Sequence, residues 1–176
     1  MKTLLGLLLV MGMVGCGGTV DAPKRVKRDG LMYEGDSETP FTGGVVAKHE
    51  NGQKESEGTY KDGKEDGPAT RWYENGQKAY ETTYKDGKEE GLATAWHENG
   101  QKESETTHKD GKPDGLATSW HENGQKFWEA TFKDGYQEGL ETSWWKNGQK
   151  MMEATYKGGK LVSETHWDDE GNEINF

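Results

Sequence analysis

The chain has 176 residues, of which 30% are hydrophobic and 31% are charged, and it contains 26 glycines. This composition excludes a large conventional core, whereas seven Trp and seven Tyr residues argue against a disordered chain and indicate an ordered fold with a thin apolar layer. The net charge of −10 makes nucleic acid and anionic membrane surfaces poor partners, because both attract proteins largely through basic residues.

The N-terminus has the pattern of a secretory signal. Lys2 supplies a positive charge, and residues 4–14 are almost wholly apolar but too few to span a bilayer, which needs about 20. The single cysteine, Cys16, follows Met13-Val14-Gly15, which resembles a bacterial lipobox, where the signal is cut before a cysteine that is then acylated. We therefore expect a signal peptide at residues 1–15 and lipid attachment at Cys16, followed by a tether that ends at residue 29. The alternative is an ordinary signal peptide with an unmodified cysteine.

The rest of the chain is dominated by a repeat of 24 residues. Its most regular element is Asn-Gly-Gln-Lys, which begins at Asn51, Asn75, Asn99, Asn123 and Asn147. Lys-Asp-Gly, or Lys-Gly-Gly in the last copy, recurs within each copy, and a Trp precedes four of the Asn-Gly pairs by three residues. Strict recurrence of this kind predicts a repeat architecture in which each copy packs on its neighbours.

Each repeat contains two turn signals that end in Gly, separated by runs rich in Thr, Tyr and Trp. Each repeat is therefore predicted to be two strands. The predicted fold is all-β, an elongated single-layer antiparallel meander of repeated β-hairpins. The predicted organisation is a degenerate N-terminal cap repeat at residues 30–50, five repeats at residues 51–170 and a C-terminal end at residues 171–176.

The choice of hairpin turn decides which side chains share a face of this sheet. A two-residue Asn-Gly turn would mix polar and apolar residues on both faces, so a three-residue turn with a Gly bulge, pairing Trp72 with Lys78, is preferred. Applied also to Lys-Asp-Gly, this turn pairs Tyr60 with Lys64. The predicted apolar face then carries Trp72, Trp96, Trp120, Trp144, Leu92, Leu116, Leu140, Tyr84 and Phe132, and the glutamates from Glu57 to Glu153 lie on the other face.

The segments Glu-Asn-Gly-Gln-Lys, Thr-Tyr-Lys-Asp-Gly-Lys and Asp-Gly-Leu-Ala-Thr resemble the MORN-repeat variant of bacterial proteins. Their arrangement is similar to that of the YwqK family, which is labelled the antitoxin of a toxin–antitoxin pair. The resemblance extends over residues 30–176 and implies a non-catalytic, protein-binding sheet. Ala69, Ala93, Ala117 and Glu141 stand where that family often has Trp.

No catalytic or metal site is expected from the sequence. His49, His97 and His121 occupy one repeat position, but copies in neighbouring repeats lie about 9.5 Å apart, too far to share one zinc ion. The equal glutamates of the repeats lack the asymmetry that acid and base roles need. We therefore expect no enzyme activity, no metal and no cofactor.

The predicted function is that of a cell-envelope lipoprotein that presents its sheet for protein–protein interaction. The alternative is an antitoxin or immunity protein that neutralises a toxin partner. In both cases the partner is an unidentified protein, a toxin or a second copy of the chain. Membrane contact is expected only through the N-terminal lipid, in the outer membrane if the cell has two membranes.

Overall fold

The computed structural model of the protein describes residues 24–174. These residues form strands throughout, with the following bounds: Arg25–Arg28 (β1), Leu31–Glu34 (β2), Gly43–Lys48 (β3), Lys54–Lys61 (β4), Lys64–Trp72 (β5), Lys78–Lys85 (β6), Lys88–Glu89 (β7), Gly91–Trp96 (β8), Lys102–Lys109 (β9), Lys112–Trp120 (β10), Lys126–Lys133 (β11), Tyr136–Trp144 (β12), Lys150–Lys157 (β13), Lys160–Trp167 (β14) and Glu173–Ile174 (β15). No helix in this part of the chain is long and apolar enough to cross a membrane.

The strands form one long sheet in chain order. A 13-stranded antiparallel sheet begins with β3 and ends with β15, and the short β7 pairs only with β6. A separate two-stranded sheet, β1 with β2, precedes it. The predicted single-layer meander of β-hairpins is therefore confirmed, and each strand depends on its two sequence neighbours for pairing.

The Lys-Asp-Gly turns are tight two-residue turns. Lys61 lies opposite Lys64, and Asp62 and Gly63 between them have φ values of 49° and 81°. Left-handed conformation at both central residues is the signature of a type I′ turn, which Asp tolerates and Gly prefers. The prediction of a three-residue turn here was wrong, because Tyr60 pairs with Glu65 and not with Lys64.

The Asn-Gly turns are three-residue turns, as predicted. The Tyr73 amide donates to the Gln77 carbonyl at 2.9 Å, and Trp72 lies opposite Lys78. The turn glycine has the left-handed conformation that a Gly bulge requires, with a φ of 83° at Gly76. The asparagine side chain stabilises each turn. In this copy, Oδ1 of Asn75 accepts a hydrogen bond from the Gln77 backbone amide.

A second irregularity follows each of these turns. Arg71 lies opposite Tyr80 although the next residue, Trp72, lies opposite Lys78, so Ala79 is an extra residue on β6. An extra residue reverses the alternation of side chains beyond it. Tyr80 and Tyr84 consequently lie on the face opposite to Trp72, and the prediction that these aromatic residues share one face was wrong.

The sheet thus has two different faces, assigned because residues paired across strands lie on the same side. The tryptophan face carries Trp72, Trp96, Trp120, Trp144 and Trp167. The alanine face carries a row of small residues and the large rings beside them, namely Ala69, Ala93, Ala117, Ala130, Ala154, Tyr60, Tyr80, Tyr84, Trp128, Phe132 and Tyr156.

Candidate interaction surfaces

The rings of the tryptophan face are each covered by a lysine of the preceding long strand. The ammonium nitrogens lie 5.4–5.8 Å from the ring centroids, in the pairs Lys54–Trp72, Lys78–Trp96, Lys102–Trp120, Lys126–Trp144 and Lys150–Trp167. A cation over the face of an indole is attracted by the negative ring quadrupole. These contacts join the two strands of each repeat.

The same lysines are held by glutamates on the tryptophan face. Lys54 and Glu57 form an ion pair of 2.6 Å, and the equivalent pairs in the next four repeats measure 2.5–2.9 Å. Glu57 lies opposite Thr70, two residues from Trp72 on β5. The prediction that the glutamates lie opposite to the tryptophans was therefore wrong, since the Lys-Asp-Gly turn between β4 and β5 has two residues and not the predicted three.

A row of leucines remains uncovered on the tryptophan face. Leu92, Leu116 and Leu140 are 54%, 53% and 52% exposed, and each lies four residues before a Trp on the same strand. No second layer of the described residues packs against this side of the sheet. Seven of the nine residues predicted for partner binding, the four tryptophans and three leucines, therefore share this face, whereas Tyr84 and Phe132 do not.

The alanine face is more enclosed. Ala93, Ala117, Ala130 and Ala154 are only 1–4% exposed in a sheet of one layer, since the large side chains beside the row shield them. Trp128 and Phe132 are one such pair, with ring centroids 6.0 Å apart and tilted by 52°. Tyr84 and Phe132, predicted for the other side, belong to this shield.

Tyrosine hydroxyls of the alanine face donate to glutamates. The Tyr80 and Tyr84 hydroxyls lie 2.5 Å and 3.3 Å from Oε1 of Glu89. Burial, followed by the Glu89 carboxylate, raises the pKa of Tyr84 to about 12, and burial with Glu65 raises the pKa of Tyr60 to about 12. The hydroxyls therefore stay protonated and act as donors at neutral pH.

A buried carboxylate, Glu141, stands between two alanines of the row. This residue is 8% exposed, and it pairs with Ala130 and Ala154 on the neighbouring strands. Its carboxylate accepts from the Trp128 indole at 2.8 Å and from the Gln137 amide at 2.7 Å. Glu141 was not among the predicted site residues, although a glutamate in place of Ala69, Ala93 and Ala117 was a visible signal.

The repeated His position ties adjacent turns together. The His49 and His97 Nε2 atoms lie 2.8 Å and 3.1 Å from the carbonyls of Trp72 and Trp120, one repeat further on. Tyr73 uses the same position to donate its hydroxyl to the Trp96 carbonyl at 2.6 Å. Among residues 24–174, no three His, Cys, Asp or Glu side chains are grouped so that they could hold a metal ion. Cys16, predicted to carry lipid, lies outside the described residues.

The sequence matches the MORN repeat variant family in five consecutive segments, at residues 45–62, 65–86, 89–110, 113–134 and 137–157. The chain belongs to the MORN repeat variant family. No curated protein matches it. As in other repeat sheets, the equivalent surfaces of these MORN repeats suggest a repeat-based binding module rather than a single pocket.

Proposed function

We propose that this MORN-repeat protein is a non-catalytic, lipid-anchored protein of the cell envelope that binds another protein through its tryptophan face. The observation that carries the proposal is the row of half-exposed leucines on that face, formed by Leu92, Leu116 and Leu140. Large apolar side chains exposed together on one face commonly mark a contact with another protein. The tryptophans beside the row are braced by lysines, so they offer a pre-organised surface.

Binding is tested by capture of partners from envelope extracts with the full chain and with a Leu92→Ser, Leu116→Ser, Leu140→Ser triple variant. We expect the triple variant to lose the specific partner while its melting temperature stays close to that of the parent. The matched control is Leu161→Ser, because Leu161 is 48% exposed but pairs with Tyr156 on the alanine face. Equal loss in the control and the triple variant would contradict use of the tryptophan face.

Trp120 provides a second, sharper variant on the same face. Central aromatic anchors of protein interfaces cost about 2 kcal/mol or more of binding free energy when they are truncated to alanine. Trp120→Ala should weaken binding by at least this amount, whereas His121→Ala should cost much less because His121 lies at the turn, outside the face. Circular dichroism must first establish that both variants are folded, since the Trp120 ring also contacts Lys102.

Anchoring depends on Cys16, which follows the apolar N-terminal segment. Replacing Cys16 by Ser removes the thiol that lipid attachment would need. We expect the parent protein to enter the detergent phase on phase partitioning and the Cys16→Ser variant to stay in the aqueous phase. A variant that partitions like the parent would show that the lipid anchor is wrong.

An antitoxin or immunity role is the second candidate, and the net charge of −10 favours it if the toxin is basic. An envelope-acting toxin would be compatible with the proposed anchor, whereas a cytoplasmic toxin would not. The test is growth of cells that express a toxin encoded beside this chain, with and without the chain. Rescue that is lost with the leucine triple variant would support this role through the same face.

A further inference from the structure

The alanine face contains a carboxylate where its repeat pattern has a methyl group. Ala69, Ala93 and Ala117 occupy the equivalent position in the three preceding repeats, and Glu141 alone replaces them. Glu141 is 8% exposed, so its carboxylate has lost most of its hydration. Burial of a carboxylate is unfavourable unless it is compensated, and buried ionisable groups of this kind are concentrated at functional sites.

The compensation at Glu141 comes from neutral groups alone. Its carboxylate accepts from the Trp128 indole, the Gln137 amide and the Tyr156 hydroxyl. Within residues 24–174, the ion pairs of the chain involve other glutamates, and none joins a lysine, arginine or histidine to Glu141. A cation brought to this position from outside would therefore gain an ion pair that the fold itself does not supply.

A second buried polar group lies beside this carboxylate. Ser143 is 3% exposed, and its Oγ has no hydrogen-bond partner. Ser143 is two residues from Glu141 on β12, so it lies on the same face at about 6.6 Å along the strand. Its partners on the neighbouring strands are Trp128 and Met152. A buried hydroxyl without a partner is unusual in native proteins, and it can accept from a ligand that donates hydrogen.

Tyr156 on β13 and Glu164 on β14 border the Glu141 side chain from the neighbouring strands. Ala154 pairs with Glu141 on one side and with Glu164 on the other, so the two carboxylates flank a small residue at about 9.5 Å. Tyr156 lies two residues from Ala154 on β13, and its hydroxyl is hydrogen-bonded to Glu141; desolvation, then Glu141 and more weakly Glu164, raises its pKa. The position therefore combines two carboxylates, aromatic rings and the small side chain of Ala154 between the carboxylates.

We infer that Glu141, Ser143, Trp128 and Tyr156 form a binding site for a lysine ammonium group presented by a protein partner. An ammonium group has three donors, which match the Glu141 carboxylate and the Ser143 hydroxyl, and the Trp128 and Tyr156 rings suit its alkyl stem. The net charge of −10 favours approach of a basic segment. The site lies on the alanine face, so it does not depend on the proposed use of the tryptophan face.

The experiment is an NMR titration of the full chain with the peptide acetyl-Gly-Lys-Gly-amide. The reporters are the Trp128 indole N–H and the Ala154 methyl group, which border the site. A peptide with norleucine in place of lysine keeps the alkyl stem and removes the charge. Glu141→Gln keeps the shape of the side chain and removes its charge, and Glu105→Gln makes the same change on the tryptophan face as the matched control.

We expect the lysine peptide to shift both reporters in a saturable way, with affinity reduced about tenfold or more by Glu141→Gln and unchanged by Glu105→Gln. The norleucine peptide should produce no saturable shift. Glu141→Gln should also melt at or above the temperature of the parent, because it removes a buried charge.

Three results would overturn the inference. They are equal binding by the parent and Glu141→Gln, equal binding of the lysine and norleucine peptides, and shifts produced as strongly by methylamine, which would make the site one for small amines. If the lysine peptide binds as expected but the leucine triple variant still captures the partner, only the proposed function is rejected.

Discussion

Trp120 lies directly opposite Lys126 across the hairpin that joins β10 to β11. The next pair along these strands is Ser119 with Trp128, which leaves Phe127 as an extra residue in a β-bulge. The bulge keeps Lys126 on the tryptophan face and sends Trp128 to the alanine face. Because the hairpins at β3–β4, β5–β6, β8–β9 and β12–β13 have the same shift, the bulge is a property of the repeat that separates its two faces.

Deletion of Phe127 should therefore be tolerated. Without the extra residue, Lys126 and Trp128 follow each other directly and keep their partners Trp120 and Ser119, so ordinary alternation leaves each on its present face. We expect the free energy of unfolding in urea to fall by only about 1 kcal/mol or less, from the loss of an exposed ring near His121. Deletion of Ala130, in the regular part of the same strand, is the contrasting variant; it moves the side chains on one side of the gap to the other face and should cost about 2 kcal/mol or more. Equal losses in the two deletions would show that Phe127 is not an extra residue.

The repeat, the strands and the Asn-Gly turn were predictable because their signals recur in register and depend on local chemistry. The bulge was not, because its residues share no chemical character. Glu55, Ala79, Glu103, Phe127 and Met151 occupy this position in the five hairpins. A sequence pattern cannot mark a position that accepts acidic, small and aromatic residues alike, so the side chains between each bulge and the next Lys-Asp-Gly turn were assigned to the wrong face. The Lys-Asp-Gly turn is one residue shorter than predicted and reverses the assignment again, so the tryptophans and leucines of the following strand were assigned correctly.

The candidate sites were predictable to different degrees for the same reason. Leu92, Leu116 and Leu140 lie on the same strands as the tryptophans, with no bulge between them, so their common face followed from alternation alone. Tyr84 and Phe132 lie beyond the bulge and were misplaced. The importance of Glu141 depends on burial by Trp128, which only the three-dimensional pairing reveals.

The turn glycines provide a second prediction. Gly100 has a φ of 83°, and a Cβ there would lie 2.9 Å from Oε1 of Gln77. Gly100→Val should lower the free energy of unfolding by about 1–3 kcal/mol, because a β-branched residue is strained in the left-handed region. The matched control is Gly44→Val, at a strand position where a Cβ meets no atom within 4 Å. A melting curve of Gly100→Val that matches the control would contradict the turn assignment.

A stabilising substitution is expected at His121. The Nε2 atom of this residue is buried without a hydrogen-bond partner, whereas Tyr73, at the same position in an earlier repeat, donates its hydroxyl to the next repeat. His121→Tyr should therefore raise the free energy of unfolding by about 0.5–1.5 kcal/mol by making this bond to Trp144. His97→Tyr is the control, because His97 already contacts the Trp120 carbonyl. An equal gain in both variants would point to a general effect of tyrosine.

The tyrosines of the alanine face should make the protein sensitive to alkaline pH. Burial, followed by nearby glutamates, raises the pKa of Tyr60 and of Tyr84 from 10.0 to about 12. A folded-state pKa above the unfolded value means that the unfolded chain releases its phenolic protons first. The stability from the neutral tyrosines is therefore complete below pH 10 and is lost as pH rises from about 10 to about 12.

Urea unfolding at a series of pH values should show this decline, and Tyr84→Phe should make it shallower. Tyr136→Phe, at an exposed tyrosine, should leave it unchanged, and an equal effect of the two variants would contradict the assignment to the alanine face.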